Sequence, residues 1–520
     1  METLLGWILR ATLIAAGAGA AILIAGWIRS ARRSGERWPV RLALAMITLA
    51  AIYGVGHARM LVDSARIEEG RARYVRFGDP RRTEMRRAEV RGWILDCTSR
   101  PENALARYAA SDGTVDRVYP LGEAGANFIG GGTDADLRDY TIERVFAEEL
   151  RRPRGLVERG ELHPVGTDLQ LTLCGGATAR AWELLRESDR PGAVIVQDIR
   201  SGALVAYAST GGPDDPPLGL REYAAPGSIW KLALAALWWE HGLPERQMGC
   251  ESTIQVTPRS SIRNSEGFSI PSVLAPTEML VYSCNTTAVR MALEMREQLG
   301  EAAFAEAYAR FGVRPYAPGE PPGGYDHDFW RTASRGWRDR MSPPPARVRL
   351  SGESSTQEWA QLAIGQGPID VTPIHMARLV AAIGNGGVMV TPTIERGMAE
   401  EDPEGRRIMS PETSERLLAA MGAVVDRGSA RSTAPILEGL EWDMAGKTGT
   451  AQVQGAADNG WFAGLALDPE GRPRYAIVSF LVGGGPGGRR PAAIAAGLTR
   501  YIATAPASEL GSPADADGES

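Results

Sequence analysis

The stretch PGSIWKLAL, residues 226–234, holds one of only two lysines in a 520-residue chain that carries 57 lysines and arginines together. The other is Lys447. Pro226 and Gly227 mark a turn, and the run SIWKLALAALWWE from Ser228 to Glu240 combines strong helix formers with apolar residues too continuous for a surface helix. It reads as a helix buried inside a domain. Ser228 and Lys231 stand three apart at its start, about one turn, so both side chains share a face. A serine hydroxyl is a poor nucleophile until a neighbour takes its proton. A lysine amine does this once burial or a nearby cation lowers its pKa, whereas arginine keeps its proton in proteins. Lysine at 231, in a chain that otherwise uses arginine, therefore points to proton transfer.

A lone S-x-x-K carries little information, but two further elements accompany it. Lys447 opens KTGT, residues 447–450, ahead of an apolar strand pattern, and midway lies YSCNT, residues 282–286, with Ser283 and Asn285 flanking Cys284. S-x-x-K, S-x-N and K-T-G together form the set used by serine β-lactamases and penicillin-binding proteins. Here they occur in that family's order, and both lysines of the chain fall inside them.

On these motifs the chain resembles the class B penicillin-binding proteins, monofunctional peptidoglycan D,D-transpeptidases of the serine penicilloyl-acyltransferase superfamily. RGWILD (91–96), DLQLTL (168–173), AVIVQDIRSGALVAYAS (193–209), IGQGPIDVTPIHMARLVAAIGNGG (364–387) and GKTGTAQ (446–452) extend the resemblance over roughly residues 90–505. The fit is best from Pro191 onward and loose over 98–190. Two features depart from the family: Ile229-Trp230 stands where smaller or hydroxylated residues are commoner, and the amino terminus carries two apolar runs rather than a single anchor.

The resemblance implies an α/β (α+β) fold of the penicillin-binding transpeptidase and serine β-lactamase type, an antiparallel sheet flanked by helices, preceded by a small α+β pedestal. It implies that Ser228 attacks the carbonyl of the penultimate D-alanine of a stem peptide, with Lys231 as general base. Ser283 would relay a proton to the leaving D-alanine, and Asn285 would hold the acylated peptide's amide. Lys447 would supply positive potential to Lys231 and to the substrate carboxylate. Thr448, Gly449 and Thr450 line the carboxylate site, and the N–H groups of Ser228 and Thr450 form the oxyanion hole. No cofactor or metal is expected, β-lactams should acylate the same serine, and the implied partner is a separate membrane glycan polymerase of the SEDS type.

The organisation fits that picture. Ala11 to Ile28 is an uncharged run of about 27 Å at helical rise, close to a bilayer core. A second run, Leu42 to Gly56, lengthens if Arg41 and Arg59 snorkel to the interfaces. Residues 1–60 thus read as a transmembrane helical hairpin with spans at about 11–28 and 41–57. Arg29, Arg32, Arg33, Arg37 and Arg41 against the single acid Glu36 place the intervening loop in the cytoplasm. The catalytic part then lies on the periplasmic or extracytoplasmic side of the cytoplasmic (inner) membrane, although five arginines after the second run oppose this bias. Residues 61–190 read as juxtamembrane linker and pedestal, 191–505 as the transpeptidase domain, and 506–520 as a small, acidic, unstructured tail. The Pro-, Gly- and Arg-rich stretch 314–356 reads as an insertion or loop.

A net charge of −6 with interleaved arginines leaves no nucleic-acid footprint. The five histidines show no metal-ligand spacing with cysteine. The four cysteines allow three pairings, and buried free thiols are the simpler expectation. A hydrolytic β-lactamase is disfavoured by the absence of any Leu-Asn pair of the class A E-x-x-L-N element. A bifunctional polymerase has no room between the second span and Pro191. A D,D-carboxypeptidase fits the same residues, since water and an acceptor amine differ only in which one reaches the acyl group. A non-catalytic scaffold or β-lactam sensor is the reading from another class, and retention of both lysines argues against it.

Overall fold

In the computed structural model the described residues run from 91 to 506, excepting 112–113, 132–139, 152–165, 213, 318–323, 333–340, 351–353 and 402, with 509–510 and positions 25, 26, 29 and 33 in addition. The expected hairpin at 1–60 and linker at 61–90 lie outside them apart from those four helical positions, as does the tail apart from Pro506, Glu509 and Leu510. Among the described residues no helix is long and apolar enough to cross a membrane.

The centre is a five-stranded sheet whose every pairing is antiparallel. The runs AVIVQD and ALVAYAS form an antiparallel hairpin of β1 (Gly192–Asp198) and β2 (Leu204–Ser209). Three later strands complete the sheet: β7 (Asp443–Ala451), β8 (Asn459–Leu467) and β9 (Pro473–Leu481), in the order β7-β8-β9-β1-β2. The two termini of the domain thus meet in the middle, where β9 pairs with β1 and Val478 faces Ile195.

These strands are apolar almost throughout because both faces are covered. Side chains alternate across a strand, and Ile195, Ala476, Val478 and Phe480 enter one hydrophobic core while Val194, Val196, Tyr475 and Ile477 enter the other. The second core is roofed by α1 (Gly175–Glu187) and α8 (Arg490–Thr504) through Ala181, Leu185, Ala495 and Leu498. The first takes α2 (Lys231–Glu240), α5 (Thr356–Ala363), α6 (Pro373–Gly384) and α7 (Pro411–Asp426), together with both ends of α4 (Asn285–Arg310). Nine consecutive residues of α2, Lys231 to Trp239, are buried, as its unbroken apolar run required.

Three local outcomes differ from expectation. The helix expected from Ser228 begins as a 3-10 turn, Gly227–Trp230, and becomes α-helical only at Lys231. The stretch 314–356 contributes short strands at Arg314–Tyr316 and Arg347–Arg349, paired in parallel, so it is not wholly loop. The cysteines are not free thiols: Cys97 bonds to Cys174 and Cys250 to Cys284. Spacing could not choose among the pairings because 77 and 34 residues separate the partners, and only the fold brings their Cα atoms to 4.8 and 6.1 Å.

Candidate active site

Three segments distant in sequence converge at one edge of the sheet. The first is the turn that carries Ser228. With three residues per turn, a 3-10 helix brings positions i and i+3 onto one face, and the Lys231 N–H donates back to the Ser228 carbonyl across this turn. Gly227 starts this turn at φ +56, and a methyl there would sit 2.5 Å from the Thr450 carbonyl oxygen. Gly365, at φ +68, presses on the same spot, with its missing Cβ 2.0 Å from the Gly227 oxygen, and its carbonyl accepts the Gly227 N–H at 2.8 Å. Only glycine fits at either place.

The second segment joins α3 (Thr277–Tyr282) to α4. Its pivot, Ser283, has left-handed backbone angles, φ 58 and ψ 37. That conformation turns both its carbonyl and its hydroxyl toward the first segment. The third is β7, the edge strand, with Lys447 opposite Ala463 and Thr450 opposite Gly460.

The two lysines meet at Ser283. Lys231 Nζ donates to the Ser283 carbonyl oxygen at 2.7 Å, to Asn285 Oδ1 at 2.6 Å and to Ser283 Oγ at 3.3 Å. Lys447 Nζ donates to the same Ser283 Oγ at 2.9 Å and to its neighbour's carbonyl, Thr448 O, at 3.0 Å. Both lysine side chains are completely buried. Burial, and then the charge of Lys447, hold the Lys231 pKa well below its ordinary value. Burial alone brings Lys447 down to about 7. Among the described residues no carboxylate pairs with either lysine, so removal from water is opposed only by neutral acceptors.

Ser228 is half-buried at the mouth of this site, and its hydroxyl takes no hydrogen bond among the described residues, while the Lys231 amine is turned to Ser283 and Asn285. Nucleophile and base are often looser without substrate. Thr448 shares a 2.6 Å hydrogen bond with Ser429, and the Thr450 carbonyl accepts from Gln366 Nε2 at 3.3 Å. A Cβ at Gly449 would meet the Pro226 oxygen at 3.0 Å, which shows how closely the strand and the turn are packed. All eight residues singled out in sequence therefore fall on these three segments. Sequence reasoning missed Gly227 and Gly365 as packing glycines, and Ser429, Asn264 and the Cys250–Cys284 bridge beneath Ser283. Gly365 lay within a family-like stretch, whereas no pattern marked Asn264 or Ser429.

An antiparallel sheet packed between helices, with two buried lysines meeting at its edge, is the arrangement of the penicillin-binding transpeptidase fold. The model of the penicillin binding protein transpeptidase domain matches residues 192–500. The chain belongs to that family. It is 29% identical over 429 residues to penicillin-binding protein PbpB of Mycolicibacterium smegmatis, covering 69% of this chain and 60% of that protein. It is 23% identical over 360 residues to a probable peptidoglycan D,D-transpeptidase FtsI of Caulobacter vibrioides, covering 65% and 54%. Both relatives are thus considerably longer than the part of them that this chain spans. The fold is shared with penicillin-binding protein A from M. tuberculosis, solved as a ceftriaxone acyl-enzyme, at a TM-score of 0.64 and 20% identity over 80% of this chain and 98% of that one.

Proposed function

We propose that this chain is a peptidoglycan D,D-transpeptidase that cross-links stem peptides through an acyl-enzyme on Ser228. The observation that carries the reading is the meeting of Lys231 and Lys447 on one hydroxyl, Ser283 Oγ, both buried and both with lowered pKa. A structural lysine is kept charged by a carboxylate or by water. Two buried amines sharing a hydroxyl are instead suited to moving a proton.

In this mechanism neutral Lys231 takes the Ser228 proton as Oγ bonds to the carbonyl carbon of the penultimate D-alanine. The N–H groups of Ser228 and Thr450 receive the negative charge that develops on oxygen, an effect of about 3–4 kcal/mol per donor in comparable sites. The C–N bond then breaks, and the proton passes from Lys231 through Ser283 to the departing amine. An acceptor amine attacks the ester, loses its proton by the same route, and frees Ser228 Oγ. Asn285 holds the acyl peptide's amide, while Lys447, Thr448, Gly449 and Thr450 bind the carboxylate. β-Lactams enter as mimics of the D-alanyl-D-alanine terminus and stop at the ester.

In this reading residues 1–60 anchor the protein in the cytoplasmic membrane by two spans, 61–190 form linker and pedestal, and the catalytic domain faces the extracytoplasmic side. The two disulfides support that side, since such bonds persist in oxidising compartments. A SEDS-type polymerase is the proposed membrane partner, to be sought by purifying the intact protein with its spans. A purification that never brings a polymerase with it removes this partner.

Labelling of membranes with a fluorescent penicillin tests the chemistry. The wild type should carry a covalent adduct and Ser228→Ala none, and labelling that survives the substitution removes the nucleophile. Muropeptide analysis after depletion separates the outcomes. Loss of cross-linked dimers supports transpeptidation, whereas accumulated pentapeptides without that loss indicate a carboxypeptidase.

A further inference from the structure

We infer that Asn264 is a positioning residue for acylation, aiming the acceptors that receive the Lys231 amine; the inference rests on the acyl-enzyme reading above. Asn264 follows β5 (Ser260–Arg263) and is 3% exposed. Its Oδ1 accepts the backbone N–H of Asn285 at 2.8 Å and of Thr286 at 3.2 Å, the first two residues of α4. A helix start usually takes such an acceptor from its own N-cap serine, threonine, asparagine or aspartate. Here the N-cap is Cys284, whose sulfur is committed to Cys250, and its Sγ lies only within a weak 3.5 Å of the Thr287 N–H. The cap therefore comes from a different segment.

Nothing in this arrangement lets the Asn264 amide turn over. Its Nδ2 donates to the carbonyls of Glu251 at 3.0 Å and Phe268 at 3.1 Å and lies 3.5 Å from Cys250 Sγ. Two acceptors face its nitrogen and two donors face its oxygen, which fixes the orientation. The adjoining Arg263 carbonyl accepts the Asn285 side-chain N–H at 2.7 Å. Residues 263 and 264 thus hold Asn285 by backbone and side chain at once, and the one remaining polar atom, Oδ1, points at Lys231 Nζ, 2.6 Å away. The same clamp fixes Asn285, two residues beyond the left-handed Ser283, whose carbonyl is the second acceptor. Without it, Ser283 is free to leave a conformation that non-glycine residues seldom adopt.

The test measures the first-order acylation step and the preceding noncovalent affinity separately, with fluorescent penicillin on the full-length protein, together with Tm. Asn264→Ala should slow acylation by roughly 10- to 100-fold, the scale of a small displacement of a catalytic group, with affinity nearly unchanged. Asn264→Asp keeps the acceptor for both N–H groups and loses both donations. It should recover most of the acylation rate while its Tm stays low. Cys97→Ser/Cys174→Ser, which removes the other bridge, measures what destabilisation alone does and should lower Tm without slowing acylation. Acylation of Asn264→Ala within twofold of wild type, or rates in the Ala and Asp variants that simply follow Tm, overturns the assignment. A wild-type protein that takes no label overturns the acyl-enzyme reading and this assignment with it.

Discussion

Lys231 and Lys447 set the pH behaviour of the site. In the proposed mechanism acylation needs Lys231 neutral and Lys447 charged, so its rate should rise with pH as Lys231 loses its proton and fall again as Lys447 does, near pH 7 in the free protein. A bound carboxylate favours the charged Lys447, so the alkaline limb should move upward in the complex. Acylation measured from pH 5 to 9 at limiting and at saturating β-lactam would reveal both limbs, and a flat profile would remove Lys447 from this role. Lys447→Met should slow acylation about 100-fold, the scale of a lost charge-stabilising group. It should also raise Tm near neutrality, because a group whose folded pKa is depressed costs stability wherever it is charged. For Lys447 stability increases with pH from about 7 to the unfolded value near 10.5.

At the scale of elements, the Ser228 turn exists because two glycines allow it. Gly227→Ala would place a methyl against Thr450 O, and Gly365→Ala would place one against Gly227 O, each at a positive φ. Each should cost more than about 2 kcal/mol in thermal unfolding and suppress penicillin labelling. A contrast comes from α5, whose N-cap Ser355 forms a capping box with Glu358. Ser355→Ala should cost about 1 kcal/mol and leave labelling intact. Strands β1, β2, β8 and β9 and helix α2 were legible in the sequence because the strands are mostly apolar between turn residues, and α2 is apolar nearly all round. The 3-10 start of α2 was not visible, because Ser-Ile-Trp suits either helix and only contact with Thr450 and Gly365 selects the tighter one.

Across the whole molecule, stability in acid should depend on His375. It is buried in α6 with Nδ1 paired to Thr372 Oγ1 at 2.8 Å and Nε2 accepting from the Ala346 N–H at 3.3 Å, and it stacks edge-on with Phe329. Burial, then the charge of Arg378, lowers its pKa to about 3. Between that value and the unfolded 6.5 the unfolded chain binds more protons, so stability is lost as pH falls through this window, by roughly 5 kcal/mol at most. Tm measured from pH 4 to 7 should fall less steeply toward acid in His375→Gln than in wild type. Thiol titration of the denatured, unreduced protein should find no free cysteine, and four after reduction, as the two bridges require.

Local chemistry was readable from the chain alone. Lysine instead of arginine, its spacing from Ser228, the S-C-N and KTGT elements and the apolar periods follow from residue type and order, which do not change on folding. The cysteine pairing, the left-handed turn at Ser283, the Asn264 clamp and the convergence of two amines on one hydroxyl came only with the tertiary structure. Each depends on distances between segments far apart in sequence, and those distances are set by how the helices pack on the two faces of the sheet.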